Sequence, residues 1–525
     1  MTLAGNNTLA VRMNITQLKF PIQLLQARQI SSSYRRLLLV GLLFITAFGV
    51  RLYHSNEPPL DFHATRQYRS LIIARGYYFD SSTAIPESKK QVARINKERQ
   101  GILEPPLMET LVAIGYRLIG GENFWIPRLL SSLFWITGGG FLYLIARKIA
   151  GENAALFSMA FYLFLPFAVS ASRSFQPDPL MVLLLLASVY SILRVYENRS
   201  AFWLIACYVL SGSAIFVKPV SLFAIYTVFG LLAIYKFGVK KSVTNLGLAL
   251  FIPMTLLPGL IFYLYGILAA GVLQNQVQAS FLPQLLITPF FWRGWLNNIR
   301  EVIGFPALIG SLIGVLLLQN GLTKLPLVGL WSGYALFCLV FNYHIATHDY
   351  YHLQLIPIVA LSLGPVVALI FERLQEVNQE WHWRMAIGCV LSLALVLSLT
   401  VARANLTNPG FENKVRSAQE IGELVQHNTN TVYLSGDYGL SLQYHGELSG
   451  EPWPLTSDLE WERLAGVPMP DAETRFRQMF AEDLPQYFIV QDLGELEQQE
   501  DLKELLAQDY AVLAEDDNYI VYELR

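Results

Sequence analysis

The chain has 525 residues, 53% hydrophobic and only 15% charged, with mean hydropathy +0.39. That balance excludes a purely soluble protein, a disordered chain and a nucleic-acid-binding domain. The formal charge of −2 conceals a division: residues 411–525 carry 24 acidic against 7 basic side chains, about −17, so the remainder carries about +15.

A helix crossing a hydrocarbon layer needs roughly 20 mostly apolar residues, because only helices and closed barrels satisfy every backbone group there. In chain order the qualifying segments are 37–53, 125–146, 154–171, 179–193, 202–217, 220–235, 246–268, 302–318, 326–343, 353–371 and 385–401, about eleven in all. The first lies behind Arg28, Arg35 and Arg36, far from the start and without a small-residue cleavage site, so it is expected to be an anchor. Cys207, Cys338 and Cys389 all fall inside apolar runs, which leaves neither a disulfide framework nor a zinc cluster. The fold class expected is a polytopic α-helical membrane protein with a small soluble α/β domain at its C-terminal end.

Basic residues in short loops favour the cytoplasmic side. One set of alternate loops holds Arg147, Lys148, Arg194, Arg199, Lys236, Lys240, Lys241, Lys324, Arg373 and Arg384; the opposite set holds only Arg173, Lys218, Arg293 and Arg300. The expected organisation is a cytoplasmic tail over 1–36, a membrane domain over 37–403 with a long outer loop over 54–123, and an acidic domain over 404–525 on the outer side. A bacterial plasma membrane fits this topology. Amphipathic stretches at 63–78 and 106–119 suit helices lying along the membrane surface.

Ionisable residues near membrane depth are costly and mark functional sites. Four outer clusters collect them: Asp61 to Arg69, with His63 and Arg66; Glu104 before Pro105, Pro106 and Leu107; Arg173 to Pro179, with Asp178; and His344, His348, Asp349, Tyr350, Tyr351 and His352. Three carboxylates and several cations on one membrane face suit a site that deprotonates a hydroxyl and binds a phosphate. Plainer roles stand beside this one: Asp61 as a helix cap, Asp178 as a turn between prolines, Tyr350 and Tyr351 as an aromatic belt. His348 and His352, four apart, would face one way as metal ligands if helical, or else hydrogen-bond at the membrane boundary. Lys218 before Pro219 either snorkels to the interface or meets a phosphate. Arg293 and Arg300, with Phe290, Phe291, Trp292 and Trp295 in the loop 274–300, either anchor the interface or rim a lipid phosphate.

The order of Asp61; Glu104, Pro105, Pro106, Leu107; Arg128, Leu129, Leu130, Ser131; Ala146, Arg147, Lys148; Gln176, Pro177, Asp178; Lys218, Pro219; and Tyr350, Tyr351 with Pro357 resembles the GT-C glycosyltransferases. The likeness is to their polyprenyl-phosphate-sugar-dependent branch, with protein O-mannosyltransferases and aminoarabinose transferases, and spans roughly residues 35–400. It implies inverting transfer of one sugar from a polyprenyl-phosphate donor to an acceptor on a protein, lipid or glycan at the outer face. Asp61 would then be the general base and Asp178 would orient acceptor or sugar. His63, Arg66, Glu104, Arg173, Lys218, Arg293, His348, Tyr350 and Tyr351 would bind the donor phosphate or sugar, with no obligatory metal or other cofactor; a divalent metal is the alternative. The chain departs from the family in two places. Phe62, not a second acid, follows Asp61, and Glu104 stands where a lysine is common. Alternatives of another class are a transporter or lipid flippase and a non-catalytic assembly factor; repeated halves with charges midway through spans, which a transporter needs, are not visible.

Beyond 401 the apolar runs end. Helices are expected over 413–426 and 495–508, strands over 431–434 and 487–490, and a closing hairpin of 510–513 with 519–524. No nucleotide-binding or catalytic motif occurs there.

Overall fold

The computed structural model describes residues 33–101, 103–198, 200–268, 282–377 and 381–525. Most of the expected tail with Arg28, the loop residue Arg199 and the start of the 274–300 loop lie outside them. Among the described residues seven helices are long and apolar enough to cross a membrane: Trp125–Ala150, Asp178–Asn198, Ser221–Thr244, Leu246–Gly266, Gly321–Val340, Asp349–Leu374 and the segment starting at Met385. Counting each of two bent pairs as one span gives nine. The two remaining expected segments are also helices, Ser33–Arg51 and the shorter Ala201–Val217.

The expected segments 154–171 and 302–318 take part in these bent pairs. Glu152–Phe164 turns by 60° into Pro166–Arg173, where Pro166 removes a backbone donor. Pro289–Val302 turns by 92° into Phe305–Leu317 at Gly304, whose φ of 77° a β-carbon would resist. Much of the expected loop 274–300 is therefore an amphipathic helix that leaves Phe290, Trp292 and Leu296 exposed.

Without a hydrophobic force between helices in lipid, close backbone approach decides their packing. Gly329 and Gly333 supply it where Gly321–Val340 crosses Ser221–Thr244: a β-carbon on Gly333 would lie 2.4 Å from the Ala224 Cα. The main core also stacks Trp135 on Tyr162 with centroids 4.4 Å apart.

The expected outer loop, 54–123, folds into three helices, Ala64–Ser81, Glu87–Arg99 and Leu107–Ile119. Tyr68, Leu71, Ile72, Met108, Val112 and Tyr116 form its own apolar cluster. Leu111, Ile114 and Leu118 stay exposed along one side of the third helix, spacing that leaves an apolar stripe.

The C-terminal part begins with Phe411–Leu424 and carries a five-stranded sheet ordered β2-β1-β3-β5-β4, where β1 is Thr431–Leu434, β2 Gly450–Pro452, β3 Tyr487–Val490, β4 Ala511–Asp516 and β5 Tyr519–Glu523. β1 pairs in parallel with β2 and β3; β5 lies antiparallel to β3 and β4. The helix expected over 495–508 breaks at Gln499 into Leu493–Gln498 and Glu500–Asp509. The short helix Leu440–His445 inserts Leu440 and Tyr444 into the apolar cluster of the outer loop. Around it Asn96 donates to the Leu448 carbonyl at 2.9 Å, Gln100 to the Gln443 side chain at 3.1 Å, and Lys89 meets Glu447 at 2.8 Å. Arg75 lies 3.6 Å above the Tyr444 ring centroid and pairs with Glu122 at 2.8 Å.

Candidate active site

All four clusters expected from sequence contribute to one assembly of charges at a single end of the helices; the first and third also supply a separate clamp. Asp178 opens Asp178–Asn198, Lys218 ends Ala201–Val217, and Tyr350 and Tyr351 lie in the 3-10 helix Asp349–Gln354 that leads into the next span. The outer loop adds Arg66 from the first turn of Ala64–Ser81 and Glu104 from the turn before Leu107–Ile119.

Lys218 is buried, its Nζ donating to both Asp178 oxygens at 2.8 and 2.9 Å and standing 3.9 Å from Glu104. It therefore does not snorkel. Arg66 Nη2 donates to both Glu104 oxygens at 2.7 and 2.9 Å. Burial works against the Glu104 carboxylate, but Arg66, Lys218 and Arg69 outweigh it and hold its pKa below the ordinary value. The rings of Tyr350 and Tyr351 lie 5.5 and 5.2 Å from the Lys218 amine, and Tyr350 lies 5.9 Å from the Arg66 guanidinium, within cation–π range. Tyr350 and Tyr351 thus line the charged site, beyond the belt role open to them in sequence.

Arg66 carries five N–H donors and Lys218 three. Among the described residues Arg66 Nε and Nη1 make no hydrogen bond, and Lys218 spends two contacts on a single carboxylate. Spare donors thus face a set whose two cations and two anions balance.

His63 borders this group. Its Nε2 lies 2.5 Å from Asp349 Oδ1, and its ring meets Tyr350 edge-on at 4.7 Å. His348 hydrogen-bonds Thr347 through Nδ1 at 2.7 Å, and His344 stacks on Tyr351 at 5.0 Å.

Other expected members are elsewhere. Asp61 is held by Arg128 at 2.9 Å and Arg173 at 3.0 Å, all three side chains nearly inaccessible. Arg128 also donates to the His54 carbonyl at 2.6 Å, and Arg173 to the Tyr53 and His54 carbonyls. Asp61 thus sits in a clamp of its own, its side chain 4% exposed. Arg173 is spent in the same clamp. Arg293 stands exposed on Pro289–Val302, with no contact to the cluster among the described residues. His348 and His352 do not pair as ligands. His348 stands before the 3-10 helix with an extended backbone, and His352 is buried between the Tyr334 hydroxyl at 2.6 Å and the Ile345 carbonyl at 3.1 Å. Among the described residues no group of three or more His, Cys, Asp or Glu is arranged to hold a metal ion.

Sequence reasoning missed Tyr263. Its hydroxyl is buried and, among the described residues, has no hydrogen-bond partner; it interacts electrostatically with Glu104 and Arg66. Nothing in the apolar helix Phe251–Leu268, which carries both Tyr263 and Tyr265, sets Tyr263 apart in sequence. Arg69 was likewise not singled out; it ties the turn carrying Glu104 by donating to the carbonyls of Gln100 and Gly101.

Residues 103–262 match the family model described as dolichyl-phosphate-mannose-protein mannosyltransferase. Among solved structures, ArnT from Cupriavidus metallidurans bound to undecaprenyl phosphate is similar with TM-score 0.56 and 15% identity, over 94% of this chain and 98% of that chain. The archaeal oligosaccharyltransferase AglB from Archaeoglobus fulgidus, in complex with an inhibitory peptide and a dolichol-phosphate, is similar with TM-score 0.53 and 11% identity, over 87% of this chain and 69% of that chain. No curated protein sequence matches this chain.

Proposed function

We propose that the chain is a multi-pass membrane glycosyltransferase of the GT-C type, which transfers a single sugar from a polyprenyl-phosphate carrier to a hydroxyl or amine of an acceptor protein, lipid or glycan. The observation that carries this reading is the pair of cations, Arg66 and Lys218, which keep spare donors beside Tyr350 and Tyr351 where the helices end. The carrier named with the similar ArnT, undecaprenyl phosphate, and the dolichol-phosphate named with AglB support a lipid phosphate as the donor headgroup.

When the anomeric carbon leaves its phosphate oxygen, that phosphate gains negative charge, and preorganised donors in a water-poor site stabilise charge that develops there. Arg66 and Lys218 do this in the proposal, with Tyr350 and Tyr351 beside them and Tyr263 as a further donor. Glu104 holds Arg66 in place, and Asp178 holds Lys218, so both carboxylates act through a cation. We assign Asp61 to anchoring the loop through Arg128 and Arg173. The reaction requires no metal ion in this reading, and the site lies on the outer face of a bacterial plasma membrane together with the acidic domain.

The test is transfer of radiolabelled sugar by purified protein in lipid from a panel of polyprenyl-phosphate monosaccharides, with chelator present and absent. Transfer or donor hydrolysis that persists with chelator and is lost in Arg66→Met supports the proposal. Absence of both donor binding and turnover with every carrier would overturn it.

A further inference from the structure

Glycosyl transfer to a hydroxyl needs a group to receive the acceptor's proton, and the carboxylates of the site are engaged. Asp61 is clamped by Arg128 and Arg173, Glu104 by Arg66, and Asp178 by Lys218. Among the described residues His344 has a buried Nδ1 with no partner and no carboxylate to orient its ring. His348 is held by a threonine hydroxyl.

His63 differs from all of these. A carboxylate from the other side of the site, Asp349, holds its Nε2 at 2.5 Å across 286 positions of sequence. With that nitrogen donating to Asp349, Nδ1 carries the lone pair, and among the described residues Nδ1 has no hydrogen-bond partner. The side chain is 31% exposed, whereas the Asp61 side chain is 4% exposed. Its ring touches Tyr350, the same tyrosine that lies beside Arg66 and Lys218. Its backbone is left-handed, φ 42° and ψ 67°, a conformation that a non-glycine residue adopts at a cost and that gathers at functional sites.

We infer that His63, oriented by Asp349, is the general base of the transfer. The inference rests on the glycosyltransferase reading above. The acceptor's O–H proton passes to His63 Nδ1 while the acceptor oxygen forms its bond to the anomeric carbon. The bond from that carbon to the phosphate oxygen breaks, and its electron pair leaves with the polyprenyl phosphate, whose charge Arg66 and Lys218 meet. Asp349 stabilises the imidazolium formed and is a positioning residue. The arrangement is a nucleophile, a base and an orienting carboxylate, with the acceptor supplying the nucleophile.

His63→Gly tests this, because glycine accepts the left-handed backbone and leaves space for a small base. The expected result is a kcat lowered by about 10²- to 10⁴-fold, donor binding unchanged, and part of the rate restored by added imidazole. Asp349→Asn should lower kcat less and leave donor binding unchanged. Near-normal turnover by His63→Gly would overturn the assignment, as would a loss that imidazole does not relieve or that follows weakened donor binding. No transfer or donor binding by the unsubstituted protein would instead overturn the glycosyltransferase reading, and this assignment with it.

Discussion

At the scale of single residues, the site is a set of cations each held by an acid, and removing one partner leaves the other buried and alone. Asp178 is 1% exposed and Lys218 4% exposed. Breaking a buried pair costs about 3–5 kcal/mol, and residues in one pair are not additive. Asp178→Ala should therefore destabilise the protein strongly, while the double variant with Lys218→Met should cost less than the sum; additive losses in thermal unfolding would show that the pair is not coupled. The histidines bordering the site give a pH dependence. Burial, with His348, Lys218 and Arg66 adding to it, pushes His344 down to about 4; burial, with His63 and Arg66 adding to it, pushes His348 to about 4. An unfolded chain takes up these protons near about pH 6.5. Between about 6.5 and about 4 the unfolded state binds more protons, so stability is present above that window and is lost as the pH falls through it. An unfolding temperature that stays constant from pH 7 to 4.5 would contradict this. The charged residues that come together, Arg66, Glu104, Asp178 and Lys218, were legible in sequence as charges at the ends of apolar runs, whereas Tyr263 was not, and Asp61, Arg173 and Arg293 lie elsewhere. The pairing was not: Lys218 and Asp178 are 40 positions apart, and nothing local to Asp61 announces the two arginines that close on it.

At the scale of elements, the outer-loop helices are held between the membrane helices and the C-terminal domain, and Arg75 joins the parts through Glu122 and Tyr444. Tyr444→Ala removes both the ring under Arg75 and a side chain of the shared apolar cluster. Truncating a buried aromatic costs about 3–5 kcal/mol; here the loss should appear as faster amide exchange in Glu87–Arg99 and as reduced turnover, because Ala64–Ser81 carries Arg66 and His63. Unchanged exchange in that helix would show that the domain does not brace the loop. Elements with strong periodicity were readable: the apolar segments, the helix at 107–119 and the strands β1 and β3. β2 escaped, being three residues that include a glycine and a proline, both poor strand formers. The 3-10 turn at 349–354 escaped as well, since its residues would also suit an α-helix. His348 stands before that turn with an extended backbone, φ −130° and ψ 115°, which separates it from His352 inside the turn.

At the scale of the whole molecule, a basic helical body and an acidic α/β domain meet through the outer loop. Their charge difference and the asymmetry of basic loops both follow from composition, so this division was legible before any contact was known. Bent spans were less so, because hydropathy measures length and polarity but not direction. The proposed orientation puts the acidic domain outside: a membrane-impermeant reagent should label a cysteine introduced at Asp517 in intact cells, and labelling only after lysis would reverse the topology. The central claim is that the paired charges receive a lipid-linked phosphate. The most direct measurement compares binding of undecaprenyl phosphate and of the unphosphorylated polyprenol to the purified protein in lipid, for the unsubstituted chain and for Arg66→Met. The account predicts binding that needs the phosphate and is lost in the variant. Equal binding of alcohol and phosphate, or unchanged phosphate binding by Arg66→Met, would contradict it.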